Sequence, residues 1–179
     1  MLGIFKGVNK MQETEEFTIS EGLNVEWEEL PEVTLQIQRC RPEAILPEIS
    51  EGNAGIDLRV LTQNNEPEIT IGPGGFYVFN TGIKMNIPTG YYVEVVPRSS
   101  TGFKRNLRLK NTVGILDSSW KGETLVALHN FGKTPIAVKN NERMCQMIVH
   151  KHPVVKIVEV SDVGTSERGE NGFGSTGRF

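Results

Sequence analysis

Two aspartates of this chain stand out, because nearly all of its acidic residues are glutamates. Of 22 acidic residues, 19 are Glu, and the three Asp are Asp57, Asp117 and Asp162. Asp57 lies within Ala54–Leu58 and Asp117 within Gly114–Glu123, and both segments are apolar and contain glycine. A short carboxylate in such a place either forms a turn or is a positioned group that can take a proton.

Three further segments carry groups that suit a phosphate chain. Pro97–Gly102 combines an arginine with three hydroxyls and is predicted to open a short helix at Ser99 or Ser100, whose free N–H groups favour anions. Asn141–Met147 enters an apolar strand and carries one amide, Gln146. Arg168–Gly177 offers a cation, hydroxyls and an aromatic ring.

Other familiar patterns fail on their context. Gly172–Gly177 matches G-x-G-x-x-G, but the printed chain has two residues after it, where a dinucleotide site needs a helix. Gly132–Thr134 looks like the end of a P-loop, but Ala127 stands where the first glycine is required. His150-x-His152 has no further ligand nearby, so a surface strand is the better interpretation than a metal pair.

Composition limits the classes of protein. The chain has 179 residues, 37% of them apolar, which suffices for one domain with a core. A net charge of −3 argues against a nucleic-acid binder. With no apolar run of membrane-spanning length and no signal peptide, we expect a cytoplasmic protein without membrane contact. Cys40 and Cys145 lie in strand-like runs and are predicted to be two buried, reduced thiols.

The order of apolar runs and turn signals predicts three regions. Residues 1–32 hold eight Glu and two Lys and form an acidic N-terminal extension. Residues 33–163 form the folded domain, and residues 164–179, with five Gly, form a flexible C-terminal arm. Many short strands separated by turns indicate an all-β barrel or sandwich. The predicted strands are Val33–Ile37, Ile69–Ile71, Phe76–Phe79, Ile83–Ile87, Tyr91–Val96, Thr124–Asn130, Ile136–Val138, Met144–Val149 and Val154–Val160.

The five segments occur in the order and spacing of the motifs of the trimeric dUTP pyrophosphatases (dUTPases), and the chain resembles that family over residues 33–179. Thr81–Tyr91 also resembles the family's sequence before its second motif. The resemblance implies a distorted, jelly-roll-like β-barrel of the β-clip type with one short helix. It also implies Mg²⁺-dependent hydrolysis of dUTP to dUMP and pyrophosphate, which limits uracil in DNA and supplies dUMP for dTTP synthesis.

The resemblance assigns a role to each candidate residue. Asp117 would be the general base, at the bend of a hairpin, that activates a water for in-line attack on the α-phosphorus. Asp57 would hold a Mg²⁺-bound water. The phosphates would contact Arg98, Ser99, Ser100, Gln146, Arg168, Ser175 and Thr176. The uracil and deoxyribose would contact Asn111, Gly114, Ile115, Trp120 and Phe173, with Phe173 as a stacked lid.

The family also implies a homotrimer with shared active sites. Each site would take the first, second and fourth motifs (Ala54–Leu58, Pro97–Gly102 and Asn141–Met147) from one chain. The third motif (Gly114–Glu123) would come from a second chain, and the tail from the third.

Departures from the family pattern lie in the phosphate loop, in the third motif and just before the fourth motif. Ser100–Gly102 replaces the usual Gly-Leu-Ala, Trp120 replaces Tyr, and Ser119 and Lys121 replace the commoner Asp and Arg. Asn141 replaces Gly, and Asn tolerates the left-handed turn expected there.

Two other functions fit parts of the sequence. A dCTP deaminase, or a bifunctional deaminase and dUTPase, shares the fold and an Arg-Ser-Ser loop, but lacks the long Phe-containing tail and needs a catalytic Glu. A non-enzymatic trimer that keeps the site as a relic would be expected to lose Asp117 or Phe173, and both are present.

Overall fold

The computed structural model describes residues 32–171 of the chain. Its elements are β1 (Gln36–Arg39), β2 (Ile56–Val60), β3 (Glu68–Ile71), β4 (Phe76–Asn80), β5 (Ile83–Asn86), β6 (Tyr91–Pro97), α1 (Ser99–Phe103), β7 (Leu107–Leu109), β8 (Gly114–Asp117), β9 (Leu125–Asn130), β10 (Ile136–Lys139) and β11 (Glu142–Lys151), with a 3-10 turn at Gln63–Asn65. The all-β class with one short helix is confirmed. The predicted acidic extension and the end of the arm lie outside the described residues, apart from Glu32.

The strands pair antiparallel in four small sheets. Their orders are β1-β5, β10-β3, β2-β11-β6-β8 and β4-β9-β7. The pairings over residues 32–171 do not join these sheets into one continuous closed barrel. The four-stranded sheet matters most for function, since it carries residues of four of the five motifs.

One face of this sheet is apolar and supplies the core. Along β6, Val93 and Val95 are buried, while the residues between them are half-buried, as the two-residue period of a strand requires. Met147 on β11 and Leu58 on β2 lie on the same inner face. The other sheets complete the core with fully buried side chains that include Phe79, Leu61, Ile83, Leu107, Leu128, Val126 and Val138.

The predicted strand Val154–Val160 is wrong. β11 ends at Lys151, and Pro153 removes a backbone donor that a continuing ladder would need. The residues that follow have no strand partner in the described part of the chain. Their apolar side chains are exposed, with 96% of Val154 and 92% of Ile157 accessible.

The expected hairpin at Gly114–Glu123 is also different in the structure. Residues 114–117 form β8, which pairs with β6 rather than with the residues that follow it. A turn then leads toward β9, closed by a hydrogen bond from the backbone N–H of Trp120 to the backbone carbonyl of Asp117. Asp117 therefore stands at the end of an edge strand. Three strands, β2, β7 and β8, are absent from the list predicted by apolar runs.

The two thiols differ in exposure, which corrects the prediction that both are buried. Cys145 is buried in β11, and burial raises the pKa of its thiol to about 12. Cys40 is exposed just after β1. No helix within residues 32–171 has the length and apolar character needed to cross a bilayer, and the cytoplasmic location stays a prediction.

Candidate active site

A cavity of about 530 Å³ lies beside the ends of β2, β6 and β11. Asp57 and Gln146 face each other directly in the β2–β11 register, so their side chains leave the sheet on the same face. On its other side, Gln146 is paired with Val96 of β6, and Arg98 comes two residues later, just after β6 ends. The register therefore brings together residues from the first, second and fourth motifs.

Asp57 is held by two arginines. Its Oδ1 lies 2.7 Å from Arg98 Nε, and its Oδ2 lies 3.0 Å from Arg143 Nη1. Arg98 also donates through Nη1 to the Arg143 carbonyl at 3.3 Å. The cavity is also lined by Arg59 and Glu48, so its walls carry three arginines and two carboxylates, which leaves a net positive charge. In a chain of net charge −3, this concentrates positive charge where a polyphosphate would lie.

Arg59 and Arg143 were not predicted from the sequence. Arg59 lies two residues from Asp57 on β2, so strand alternation places both on one face and could have identified it. Arg143 is a different case. In a regular strand, Arg143 and Gln146 are an odd number of residues apart and would point to opposite faces. The β2–β11 register shifts between Arg143 and Cys145, and this bulge lets both side chains reach the same cavity. The bulge depends on tertiary pairing, and the residue alternation in the sequence does not reveal it.

Gln146 is fixed by a close backbone approach. Its Nε2 donates to the Pro97 carbonyl at 3.4 Å, which ties the amide to the end of β6. Its Oε1 lies so near Gly55 that a Cβ at that position would come within 2.4 Å. Gly55 is therefore needed to leave space for the Gln146 amide.

The helix predicted at the phosphate loop is confirmed as α1, Ser99–Phe103. Arg98 occupies the N-cap position without a side-chain cap, so neither serine caps the helix. Ser99 is exposed on the cavity wall, and Ser100 is half-buried beside Arg105 in an adjoining pocket. The buried hydroxyl of Thr101 donates to the Met144 carbonyl at 2.7 Å and anchors the loop to β11.

The third motif, Gly114–Glu123, lies apart from the arginines around Asp57. Asp117 pairs with Tyr92, four residues along β6 from Val96, whereas Asp57 lies three strands away from β8. Strand dimensions place Asp117 about 13 Å along the sheet and about 14 Å across it from Asp57. Within one chain, the predicted base is therefore remote from the arginines.

The predicted uracil-binding residues surround the start of β8. Asn111, Ile115 and Trp120 are exposed, and Gly114 is half-buried against Val95. β8 is the last strand in the order of its sheet, so its outer edge offers backbone N–H and C=O groups. These are the groups that a uracil edge would need.

Of the predicted tail residues, only Arg168 is described. It lies in an exposed turn, where its Nε donates to the Asn171 carbonyl at 2.8 Å, and it does not line the cavity. Phe173, Ser175 and Thr176 lie outside the described residues.

The donor set around Asp57 fits Mg²⁺ only together with a phosphate ligand. Within residues 32–171, no three His, Cys, Asp or Glu side chains gather as a metal site. Mg²⁺ commonly uses one or two carboxylates, several waters and substrate phosphates. Asp57, a single carboxylate flanked by phosphate-binding arginines, suits that arrangement.

Comparison with known proteins identifies the family. The dUTPase family model matches residues 42–177. The chain therefore belongs to the dUTPase family, and the resemblance found from the motifs is confirmed.

Two curated relatives show how far the similarity extends. A deoxyuridine 5'-triphosphate nucleotidohydrolase of Caldanaerobacter subterraneus subsp. tengcongensis is 36% identical over 148 residues, which cover 81% of this chain and 98% of that protein. The enzyme of the same name from Escherichia phage T5 is 37% identical over 147 residues, covering 80% and 98%.

The fold is shared with solved dUTPase structures. The dUTPase of Staphylococcus bacteriophage 80alpha with dUPNHPP has a TM-score of 0.72 at 22% identity, covering 80% of this chain and 98% of that one. A dUTPase mutant from phage phi11 of S. aureus, described with a coordinated structural Mg(II) ion, has a TM-score of 0.65 at 16% identity, covering 73% and 98%.

Proposed function

We propose that this chain hydrolyses dUTP to dUMP and pyrophosphate, in an active site assembled between copies of the chain. Family membership and the names of relatives at 35–37% identity support the reaction. The observation that carries the site is the arginine cluster that Asp57 and Gln146 share, because a triphosphate needs cations and amide donors at this density.

Arg98, Ser99, Ser100 and Gln146 would bind the phosphate chain, and Arg59 and Arg143 would add charge beside it. A triphosphate that takes over the arginines would release Asp57 from its ion pairs. Asp57 could then hold a water of the bound Mg²⁺. Mg²⁺ bound to the phosphates would neutralise part of the charge that develops on the leaving pyrophosphate. Arg168, Ser175 and Thr176 would hold the terminal phosphate.

Asp117 would accept a proton from the water that attacks the α-phosphorus. The edge of β8 near Asn111, Gly114 and Ile115 would bind the uracil through backbone groups and leave no room for a 5-methyl group. Trp120 would pack under the deoxyribose, where a flat ring excludes a 2′-hydroxyl. Phe173 would cover the uracil.

We further propose a homotrimer. The separation of Asp117 from the arginine cluster within one chain supports a site that two copies complete. The exposed apolar side chains between Val154 and Val163 support the same conclusion, since such a row favours burial against another chain. We retain the division into an extension (1–32), a domain (33–163) and an arm (164–179) that covers a neighbouring site.

A pyrophosphate-release assay tests the function directly. It compares dUTP with dCTP, dTTP and UTP, each with Mg²⁺ and with a chelator. We expect release from dUTP alone, and only with Mg²⁺. Ammonia release from dCTP would instead show a deaminase, and equal release from all four nucleotides would contradict the proposed base and sugar recognition.

A further inference from the structure

The segment between β8 and β9 is held at its far end by one ion pair that none of the predicted roles uses. Glu123 accepts hydrogen bonds from Arg41 Nε at 2.8 Å and Arg41 Nη2 at 3.1 Å, in a two-point contact. The same carboxylate accepts a bond from the Gly82 backbone N–H at 2.9 Å. The Glu123 side chain is only 17% exposed, whereas that of Arg41 is 42% exposed, so it is the carboxylate end of the pair that is shielded from water.

The neighbouring backbone reinforces this attachment. The Thr124 N–H donates to the Ile83 carbonyl at 2.9 Å, and the Thr81 hydroxyl donates to the Thr124 carbonyl at 2.7 Å. Residues 123–124 are therefore joined to the turn at 81–83. At the other end, β8 is fixed by its pairing with β6. Residues 118–122 thus span the gap between two fixed points.

Trp120 depends on the path of this short span. Its indole lies against Gly122, where a Cβ would come within 2.3 Å of the Trp120 Cζ2 atom. The Trp120 N–H also closes the turn onto the Asp117 carbonyl. A shift of the backbone at 122–123 would therefore move the indole and, through the turn, the end of β8.

The charge on Glu123 is favoured at neutral pH. Burial acts to raise the pKa of this carboxyl, but the hydrogen bonds from Arg41 and from the Gly82 N–H outweigh it, and the pKa lies below its ordinary value. Lys121 makes a further contact, to Asn86 Oδ1 at 2.7 Å, but this contact is exposed and contributes less.

We propose that Glu123, held by Arg41, is a positioning residue that fixes Trp120 and Asp117 for the reaction. The inference rests on the proposed function for the roles of those two residues. The ion pair would act through the backbone of residues 118–122, and neither Glu123 nor Arg41 would touch the substrate. Without the ion pair, Trp120 would no longer be held under the deoxyribose, and Asp117 would be displaced from the attacking water.

The test uses the full chain with Trp27 replaced by Phe, which leaves Trp120 as the single tryptophan. Glu123→Gln keeps the size of the side chain and removes its charge, and Arg41→Met removes the partner. For each variant we would measure acrylamide quenching of Trp120 without nucleotide, kcat and KM for dUTP, and the melting temperature. Arg41→Lys keeps the charge but not the two-point contact.

In both Glu123→Gln and Arg41→Met, we expect the quenching constant to rise about twofold, because the far end of the span is then held by hydrogen bonds without the ion pair and is more mobile. We expect kcat to fall about tenfold, since small misplacements of catalytic groups are costly. Arg41→Lys should recover part of both changes. The matched control is Glu142→Gln, which breaks the Arg105–Glu142 pair elsewhere and should leave Trp120 quenching unchanged.

A lower melting temperature with wild-type quenching and wild-type kcat would overturn the inference, because the pair would then serve stability alone. Should one of the two variants fail to fold, the other gives the same readings. If the unmodified chain does not hydrolyse dUTP, the proposed function fails. Acrylamide quenching of Trp120, measured without nucleotide, still decides whether the ion pair fixes that side chain.

Discussion

At the scale of residues, the chain divides the chemistry between two aspartates in unlike surroundings. Asp57 is held by Arg98 and Arg143 at 2.7 and 3.0 Å, which suits a group that orients charge. Asp117 is exposed at the end of an edge strand, without an arginine partner within residues 32–171. A carboxylate that must accept a proton from water acts better without an arginine partner.

Replacement of Asp117 by Asn keeps the size of the side chain and removes its ability to take a proton. We expect kcat to fall by about 10²- to 10⁴-fold with little change in the affinity for a non-hydrolysable dUTP analogue. Pyrophosphate release and calorimetry measure the two quantities. Glu68→Gln, at an exposed carboxylate of β3, serves as the control. Near-normal turnover in Asp117→Asn would show that another group is the base.

The two cysteines give a second prediction at this scale. Brief treatment of the folded protein with iodoacetamide near pH 8 should modify the exposed Cys40 and leave Cys145 intact, because Cys145 is buried and its raised pKa keeps the thiol protonated. Mass spectrometry should find one adduct on folded protein and two after denaturation. Two adducts on folded protein would contradict the buried position of Cys145.

At the scale of elements, the site depends on register. The direct pairing of Asp57 with Gln146 and the bulge after Arg143 place residues from three motifs around one cavity. The motifs and their resemblance to the dUTPase family predicted Asp57, Arg98 and Gln146, and the motif residues predicted the short helix α1. Arg59 could have been predicted from its two-residue spacing from Asp57, whereas Arg143 could not, because a bulge reverses the alternation of side chains.

Two other elements show where apolar periodicity succeeds and fails. The runs at β6 and β9 matched real strands to within a residue at each end, and both strands have paired neighbours on either side. The run Val154–Val160 is as apolar, but it has no partner within the described chain. A strand needs a ladder as well as a pattern, and the sequence of one chain does not say which chain provides it.

Asn141 is a case in which the sequence predicted backbone geometry. The residue replaces a glycine usual in the family, and its φ of 59° lies in the left-handed region that Asn tolerates.

Gly55→Ala tests the element that carries Gln146. The added Cβ would come within 2.4 Å of Gln146 Oε1, and the flexible amide can give way more easily than the sheet. We expect kcat for dUTP to fall about tenfold while the melting temperature changes little. Gly72→Ala is the matched control, since a Cβ there meets nothing within 4 Å. Unchanged kcat in Gly55→Ala would show that the position of Gln146 is not critical.

At the scale of the whole molecule, one chain leaves two features incomplete. Asp117, the proposed base, is far from the arginine cluster around Asp57, and a row of apolar side chains after β11 is exposed. Both features are explained if three copies assemble, with each covering part of the next. Composition and charge gave no sign of this, and the assembly was expected only because the motifs resemble a trimeric family.

The exposed row gives a prediction about assembly. Ile157→Asp places a charge where we expect an interface, so the trimer should dissociate toward monomers in analytical ultracentrifugation. Lys156→Gln, at the neighbouring exposed position, should leave the trimer unchanged. A stable trimer in Ile157→Asp would place the interface elsewhere on the chain.

The arm makes a separate prediction. Removal of Arg168–Phe179 should leave the fold and the trimer intact, because this segment contains only two apolar side chains, and should abolish most of the activity. Circular dichroism and ultracentrifugation check the first outcome, and pyrophosphate release checks the second. Full activity in the truncated chain would refute a role for the arm in closing the site.

Mixing two inactive variants tests the shared active site most directly. Asp117→Asn and Arg98→Ala chains, carrying different tags, are co-expressed, and trimers that contain both are purified by both tags. A site that takes Arg98 from one chain and Asp117 from its neighbour is intact at one of the three positions in every mixed trimer, so these trimers should regain about one third of the wild-type activity. Mixed trimers as inactive as either parent would show that each site lies within a single chain, and would contradict the account.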